Sequence, residues 1–434
     1  MAYRATALLA LSGLASFSNA KPIQSYGSTA SGSDSSHGSM TSTHESSMPS
    51  SHGGSLASSY GSSMASSYGS AMPSSNGDSD HPHGSMTSSS PYSASSNYQS
   101  FPTQVATSKN LLLSNGFPNL SPQALSAVNN AAHGTLSNAT GPPPSFSPDE
   151  LTNFQLVAFN EFFEVAFFTS LLTNITSGIS GFEIPAHLNS SFILDTLIAV
   201  QAQEELHAIN ANTKLPIPLK TCEYVFPTSN FNDAIALAAT FTDVVLGTLQ
   251  DVAVIFAAKN PEVVRGVAAT IGQEGEQNGF YRALQNKIPS AQPFLTASAR
   301  DFAFSALNQN FVVAGSCDVS GIDLKIFEVL SLETANVGLG DQTITLSFDI
   351  SDFHGTTEDL AFVLISGQNV PIVQDLKNVK QEGNKVTFDA DFLQQTDLLF
   401  GLTIGAVVRK GGDLATVDQV ADAAIFGPAL IEVA

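Results

Sequence analysis

The feature that most narrows what this chain can fold into is one helical stretch, Asp195-Thr196-Leu197-Ile198-Ala199-Val200-Gln201-Ala202-Gln203-Glu204-Glu205-Leu206-His207-Ala208. On a helix, Glu204 and His207 stand three residues apart and project from one face. A Glu-x-x-His pair pointing into a four-helix bundle is half of a dinuclear metal site. In apolar surroundings such groups are costly unless a metal or hydrogen-bonding partners meet them. The stretch therefore asks for helices packed around it.

Four long helical patterns answer. They run from about Pro148 to Leu172, about Ser191 to Asn212, about Asn232 to Lys259, and from Asn260-Pro261-Glu262 to about Asn286. Ser147-Pro148-Asp149-Glu150 and Asn260-Pro261-Glu262 are cap, proline and acid in the order a helix start prefers. Pro216 and Pro218 end the second pattern. Apolar residues recur at three-and-four spacing throughout, as bundle helices require. A shorter helix is expected from Gln123 to Ala132, behind Ser121-Pro122.

A dinuclear bundle site draws one carboxylate from each of two helices and a Glu-x-x-His from each of the other two. Two divalent cations held close repel, so bridging carboxylates offset their charge and imidazoles complete the shells. The first helix offers Glu161 and Glu164, flanked by Phe and otherwise nearly free of charge. The second offers Glu204 and His207, with Glu205 expected in solvent. The fourth offers Glu274, with Gln277 at the same three-residue spacing and an amide in place of an imidazole. The third has no Glu; beyond its first turn its acids are Asp243 and Asp251, and Asp243 is the candidate. Two readings stand side by side. Glu161, Glu204, His207 and Glu274 hold a metal, or they form a buried polar network that serves packing.

The segments Asn160-Glu161-Phe162-Phe163-Glu164-Val165-Ala166-Phe167-Phe168, Glu204-Glu205-Leu206-His207 and Glu274-Gly275-Glu276-Gln277-Asn278-Gly279-Phe280-Tyr281-Arg282 resemble the ferritin-like domain of desiccation-related proteins. The resemblance is greater to fungal secreted stress-response and late sexual development proteins, and it covers roughly residues 145 to 290. It implies that Glu161, Glu204, His207 and Glu274 fall on the family's metal-ligand positions, with iron or manganese as the metal. Two positions depart from the family: Gln277 where a second His is expected, and Thr242-Asp243 where a Glu-Asp pair sits.

Beyond Cys317 the texture changes to short alternating runs. Residues 323–330, 342–350, 361–366, 385–391, 400–409 and 424–433 read as strands, separated by turns such as Glu382-Gly383-Asn384. Without an intervening helix, they predict a small antiparallel β-sandwich. No motif in this part carries recognisable chemistry.

The N-terminal part reads differently again. Arg4, the apolar run from Ala5 to Ala15 and Ser18-Asn19-Ala20 form a secretory signal over residues 1–20. Residues 21–105 are rich in Ser, Gly, Met and His and repeat short units, such as His37-Gly38-Ser39-Met40 and His83-Gly84-Ser85-Met86. That composition buries too little to offset chain entropy, so the segment is expected to be a disordered spacer. The expected order is signal, spacer, ferritin-like helical bundle over 106–310 and β-sandwich over 311–434.

Secretion agrees with two further features. Cys222 and Cys317 are the only cysteines, an even count that an oxidising compartment tends to pair. Closing so long a loop would add ~4 kcal/mol. Sequons at Asn138, Asn174 and Asn189 are candidate glycosylation sites, the last two expected in a loop, while Pro122 weakens a fourth at Asn119.

The chain carries 38 acidic against 16 basic residues, for a net charge of -22, so it offers no basic patch for nucleic acid. No transmembrane segment is expected after the signal. There is no nucleophile elbow, phosphate loop or dinucleotide fingerprint. The role implied by the resemblance is a secreted or cell-wall-associated protein of stress response or sexual development, non-enzymatic, with a degenerate metal site. One alternative is a working di-iron or di-manganese protein acting in metal sequestration, ferroxidase-type or peroxide chemistry. The other is an extracellular binding module, in which the chain's lack of Trp leaves sugar stacking to Tyr and Phe.

Overall fold

Ser121, Ser147, Asn189, Asn230 and Asn260 each stand immediately before a helix. In the computed structural model, which describes residues 113–138 and 145–433, these helices are α1 (Pro122–Ala131), α2 (Pro148–Thr176), α3 (Ser190–Asn212), α4 (Phe231–Ala257) and α5 (Pro261–Leu284). The signal, the Ser-rich spacer and residues 139–144 lie outside the described residues. Local chemistry sets the helix starts. Glu150 Oε2 accepts from the Ser147 amide at 2.8 Å and its hydroxyl at 2.7 Å. The other Glu150 oxygen accepts from Asn260 Nδ2 at 2.7 Å, so one carboxylate joins the starts of α2 and α5.

Helix α2 packs on α3 and α4, and α4 packs on α5. Phenylalanines fill the space between them. The Phe163 ring lies 5.1 Å from Phe241 of α4 and 4.7 Å from Phe311, in tilted and edge-on arrangements that aromatic rings prefer. By length and composition alone α2 and α4 are each long and apolar enough to cross a membrane. Their most apolar windows are 72% and 78% buried inside the protein. A helix apolar all round is what a central core position selects.

A sixth helix, α6 (Arg300–Asn310), was not legible in the sequence pattern. Phe304 and Leu307 join the core of the long helices, while Phe302, Ala303 and Ala306 join a second core shared with the sheets. Burial on two sides erases the one-faced stripe that marks an amphipathic helix.

The C-terminal part holds β1 (Leu330–Leu332), β2 (Asp341–Asp349), β3 (Leu360–Ser366), β4 (Ile372–Asp375), β5 (Lys377–Glu382), β6 (Lys385–Leu393), β7 (Gly401–Arg409) and β8 (Ala424–Val433). They form two antiparallel sheets, ordered β1-β2-β6-β5 and β4-β3-β7-β8, facing each other across one apolar core. Strand β3 is buried on both faces: Phe362 and Leu364 enter the core between the sheets, Val363 and Ile365 the core against α6. Strand β5 is exposed along its length, and its lysines blunt a sheet edge.

Two expectations for this part need correction. Of the strand expected over 323–330 only Leu330 is in a strand, and a short helix, α7 (Val417–Ala423), interrupts a region expected to hold strands alone.

The described residues belong to one compact unit, and the second core joins Val244 of α4 and α6 to β3, β7 and α7. A disulfide links Cys222, ahead of α4, to Cys317, ahead of β1. Asn138 and Asn189 are exposed, Asn189 capping α3 through its side chain. Asn174 lies in the last turn of α2 and is half-buried, not in the loop expected from the glycines that follow.

Candidate metal centre

Three helices bring their polar residues to one point. Helix α2 contributes Glu161, α3 contributes Glu204 and His207, and α5 contributes Glu274. One ligand atom from each lies within 4.8 Å of the others. His207 Nδ1 is 2.9 Å from Glu204 Oε2, 3.6 Å from Glu161 Oε2 and 3.7 Å from Glu274 Oε1. The three carboxylates are at most 1% exposed, whereas the His207 side chain is 19% exposed and is the open side of the cluster.

The hydrogen-bonding account is incomplete. Both oxygens of Glu161, both of Glu274, one of Glu204 and His207 Nδ1 lack a hydrogen-bond partner. The 2.9 Å approach of His207 to Glu204 does not have the alignment of a hydrogen bond. Among the described residues no lysine or arginine forms an ion pair with any of the four. Buried carboxylates are normally paired or coordinate a metal. Carboxylate oxygens and an imidazole suit iron, manganese or zinc, so these residues fit a divalent transition-metal ion.

The electrostatics carry the same message. Burial pushes the Glu161 carboxyl up to about 7, with His207 opposing. Burial, reinforced by the neighbouring carboxylates, holds Glu164 and Glu274 well above the ordinary range. Burial alone would depress His207, but Glu161 and Glu204 outweigh it and raise it well above the usual imidazole value. Without a cation the cluster takes up protons instead.

Around these four, other residues fix positions. Glu164 lies beside them and accepts from Asn160 Nδ2 at 2.8 Å, leaving Oε2 unpartnered. Gln277 turns its amide nitrogen to Glu204 Oε1 at 2.6 Å and to Gln203 Oε1 at 3.1 Å. It therefore orients a carboxylate. Asp243 is not brought to the cluster: its charged neighbours are Glu432, Arg282 and Lys287. Glu205, expected in solvent, is 2% exposed and accepts from Asn115 and Gln201 at 2.8 and 2.9 Å.

Tyr281 escaped sequence reasoning. Its phenol is buried without a partner, and burial with the charges of Glu204, Glu164 and Glu274 holds its proton on. The signal was present, since Tyr281 lies four residues beyond Gln277 on the same face of α5. Compared with known proteins, the sequence matches no family model and no curated relative.

Proposed function

We propose that this chain is a secreted, ferritin-like metal-binding protein in which α2, α3, α4 and α5 act as a four-helix bundle. Glu161, Glu204, His207 and Glu274 hold one divalent ion, iron or manganese. The observation that carries this reading is the convergence of three buried carboxylates with no lysine or arginine among the described residues paired to them. Bound there, iron or manganese supplies Lewis acidity and one-electron redox capacity.

The chain's own residues do the rest. Gln277 holds Glu204 in place and is itself held by donating to Gln203. Asn160 holds Glu164 as a further carboxylate at the edge of the cluster. Loading displaces the protons that burial otherwise keeps on Glu161 and Glu274, so affinity rises with pH. The half-open His207 edge is the route by which an ion reaches the site. A single-ion site agrees with Gln277, which spends its amide N–H groups on Glu204 and Gln203 and presents no imidazole. Extracellular or cell-wall placement, and a role in stress or sexual development, follow from the resemblance of α2, α3 and α5.

Elemental measurement tests the reading. The full secreted chain, incubated with Fe(II) or Mn(II) and desalted, is expected to retain about one ion per molecule. The Glu204→Ala/His207→Ala double variant is expected to retain none. A parent without metal after both incubations would overturn the proposal.

A further inference from the structure

A second feature lies on a neighbouring face of α5 and does not depend on the metal reading. A half-open cavity of ≈ 330 Å³ sits between α4, α5 and the connection that follows α5. Helix α5 presents Asn278 and Arg282 to it, α4 presents Asp243, and Ser290 and Gln292 come from the connection. Leu246, Pro289, Pro293 and Leu295 give it aliphatic walls. A few fixed polar groups in a mostly apolar cleft of this size are the usual composition of a small-molecule site.

Asn278 is hydrogen-bonded to the Asp243 carboxyl, and that bond leaves one acceptor on each side chain over. Asp243 is 5% exposed and Asn278 4% exposed, yet Asp243 Oδ2 and Asn278 Oδ1 have no hydrogen-bond partner. Arg282, by contrast, is held: Nε donates to the Ile288 carbonyl at 2.9 Å and one terminal nitrogen to Glu432 at 2.7 Å. Asp243 and Glu432 face Arg282 and Lys287, so formal charge balances locally and neither a cation nor an anion is selected. What the cavity lacks is hydrogen-bond donors for two buried acceptors. Leaving such acceptors unmet is costly, and a molecule that meets them while packing aliphatic C–H groups on the walls gains on both counts.

We propose that this cavity binds a small neutral polyol, a sugar alcohol or a monosaccharide, through Asp243 and Asn278. Hydroxyl groups both donate and accept, so they serve Asp243 in either protonation state. The carbon skeleton of a polyol lies against Leu246, Pro293 and Leu295. Gly275 leaves the α5 side open, since a Cβ there would meet nothing within 4 Å.

The test uses the full secreted chain and ligand-observed NMR titrations with mannitol, glucose, putrescine and inorganic phosphate. Saturable binding of mannitol or glucose, with neither putrescine nor phosphate bound here, is expected. Asp243→Leu removes an acceptor and is expected to weaken binding about tenfold or more. Ser290→Phe blocks the cavity from an exposed position, so its melting temperature and metal content should match the parent while polyol binding disappears. Absence of saturable polyol binding, preference for putrescine or phosphate, or unaltered binding in Ser290→Phe would each overturn the proposal.

Discussion

Helix α5 carries parts of two buried acidic clusters on adjacent faces, and they are completed in different ways. Asp243 and Glu432 stand with Arg282 and Lys287, and Arg282 closes the Glu432 pair at 2.7 Å. Among the described residues, Glu161, Glu164, Glu204 and Glu274 have one histidine and no lysine or arginine paired to them. A buried ion pair that carries its own cation belongs to the architecture, and breaking it exposes the full desolvation cost. A cluster of acids without one takes protons or takes a cation from outside.

The largest expected effect breaks the self-sufficient cluster. Arg282→Met leaves Glu432 buried and unpaired, and should cost about 3–5 kcal/mol in urea unfolding. A loss within experimental error would mean that the pair is not an architectural element. The same experiment on the other cluster should give the opposite sign. Glu274→Gln removes a buried acid that no lysine or arginine meets and that burial already keeps protonated, so the metal-free variant is expected to equal or exceed the parent in stability.

Metal should reverse that order. At a free ion concentration a hundredfold above Kd, the parent gains about 2.7 kcal/mol and Glu274→Gln gains little. Equal metal responses would place the ion elsewhere. A smaller effect separates ligand from support: Gln277→Leu leaves all four ligands and removes the donor that orients Glu204. Metal affinity should fall about 10- to 100-fold, read by competition with a chelator. Unchanged affinity would show that Gln277 has no orienting role.

The pH profile sharpens the contrast further. Asp243, pushed up to about 8, and Glu161, at about 7, bind protons in the folded chain that an ordinary carboxylate near ~4 releases on unfolding. Stability from these groups is therefore present at acid pH and is lost as pH rises through the window from ~4 to about 8. With metal bound, Glu161 stays ionised and its share of the slope vanishes, while that of Asp243 remains. Melting curves from pH 5 to 8.5, with and without Mn(II), should show a steeper fall in the metal-free protein. Parallel profiles would contradict the assignment of Glu161 to the metal.

The first cluster was largely legible in the sequence because its contributors repeat at helical spacing. Glu161 and Glu164, Glu204 and His207, and Glu274 and Gln277 each share a face at three residues apart. The second was not, since Arg282 meets Glu432 across 150 residues and no local pattern links them. Glu205 was misread for the same reason: its partner Asn115 lies 90 residues upstream. Asp243 is also one methylene shorter than Glu, and its helix gave no sign of which neighbour it faces. Among strands, β6 was readable from its own alternation and length. Strand β5, exposed on both faces, left no alternation to read.

The most direct test is anomalous diffraction from crystals of the protein grown with Mn(II), with data collected for manganese. A single strong peak is expected among Glu161, Glu204, His207 and Glu274, at about 2.0–2.2 Å from their ligand atoms, and no peak beside Asp243. A map without a peak at the first cluster, or with one at the second, would contradict the central claim.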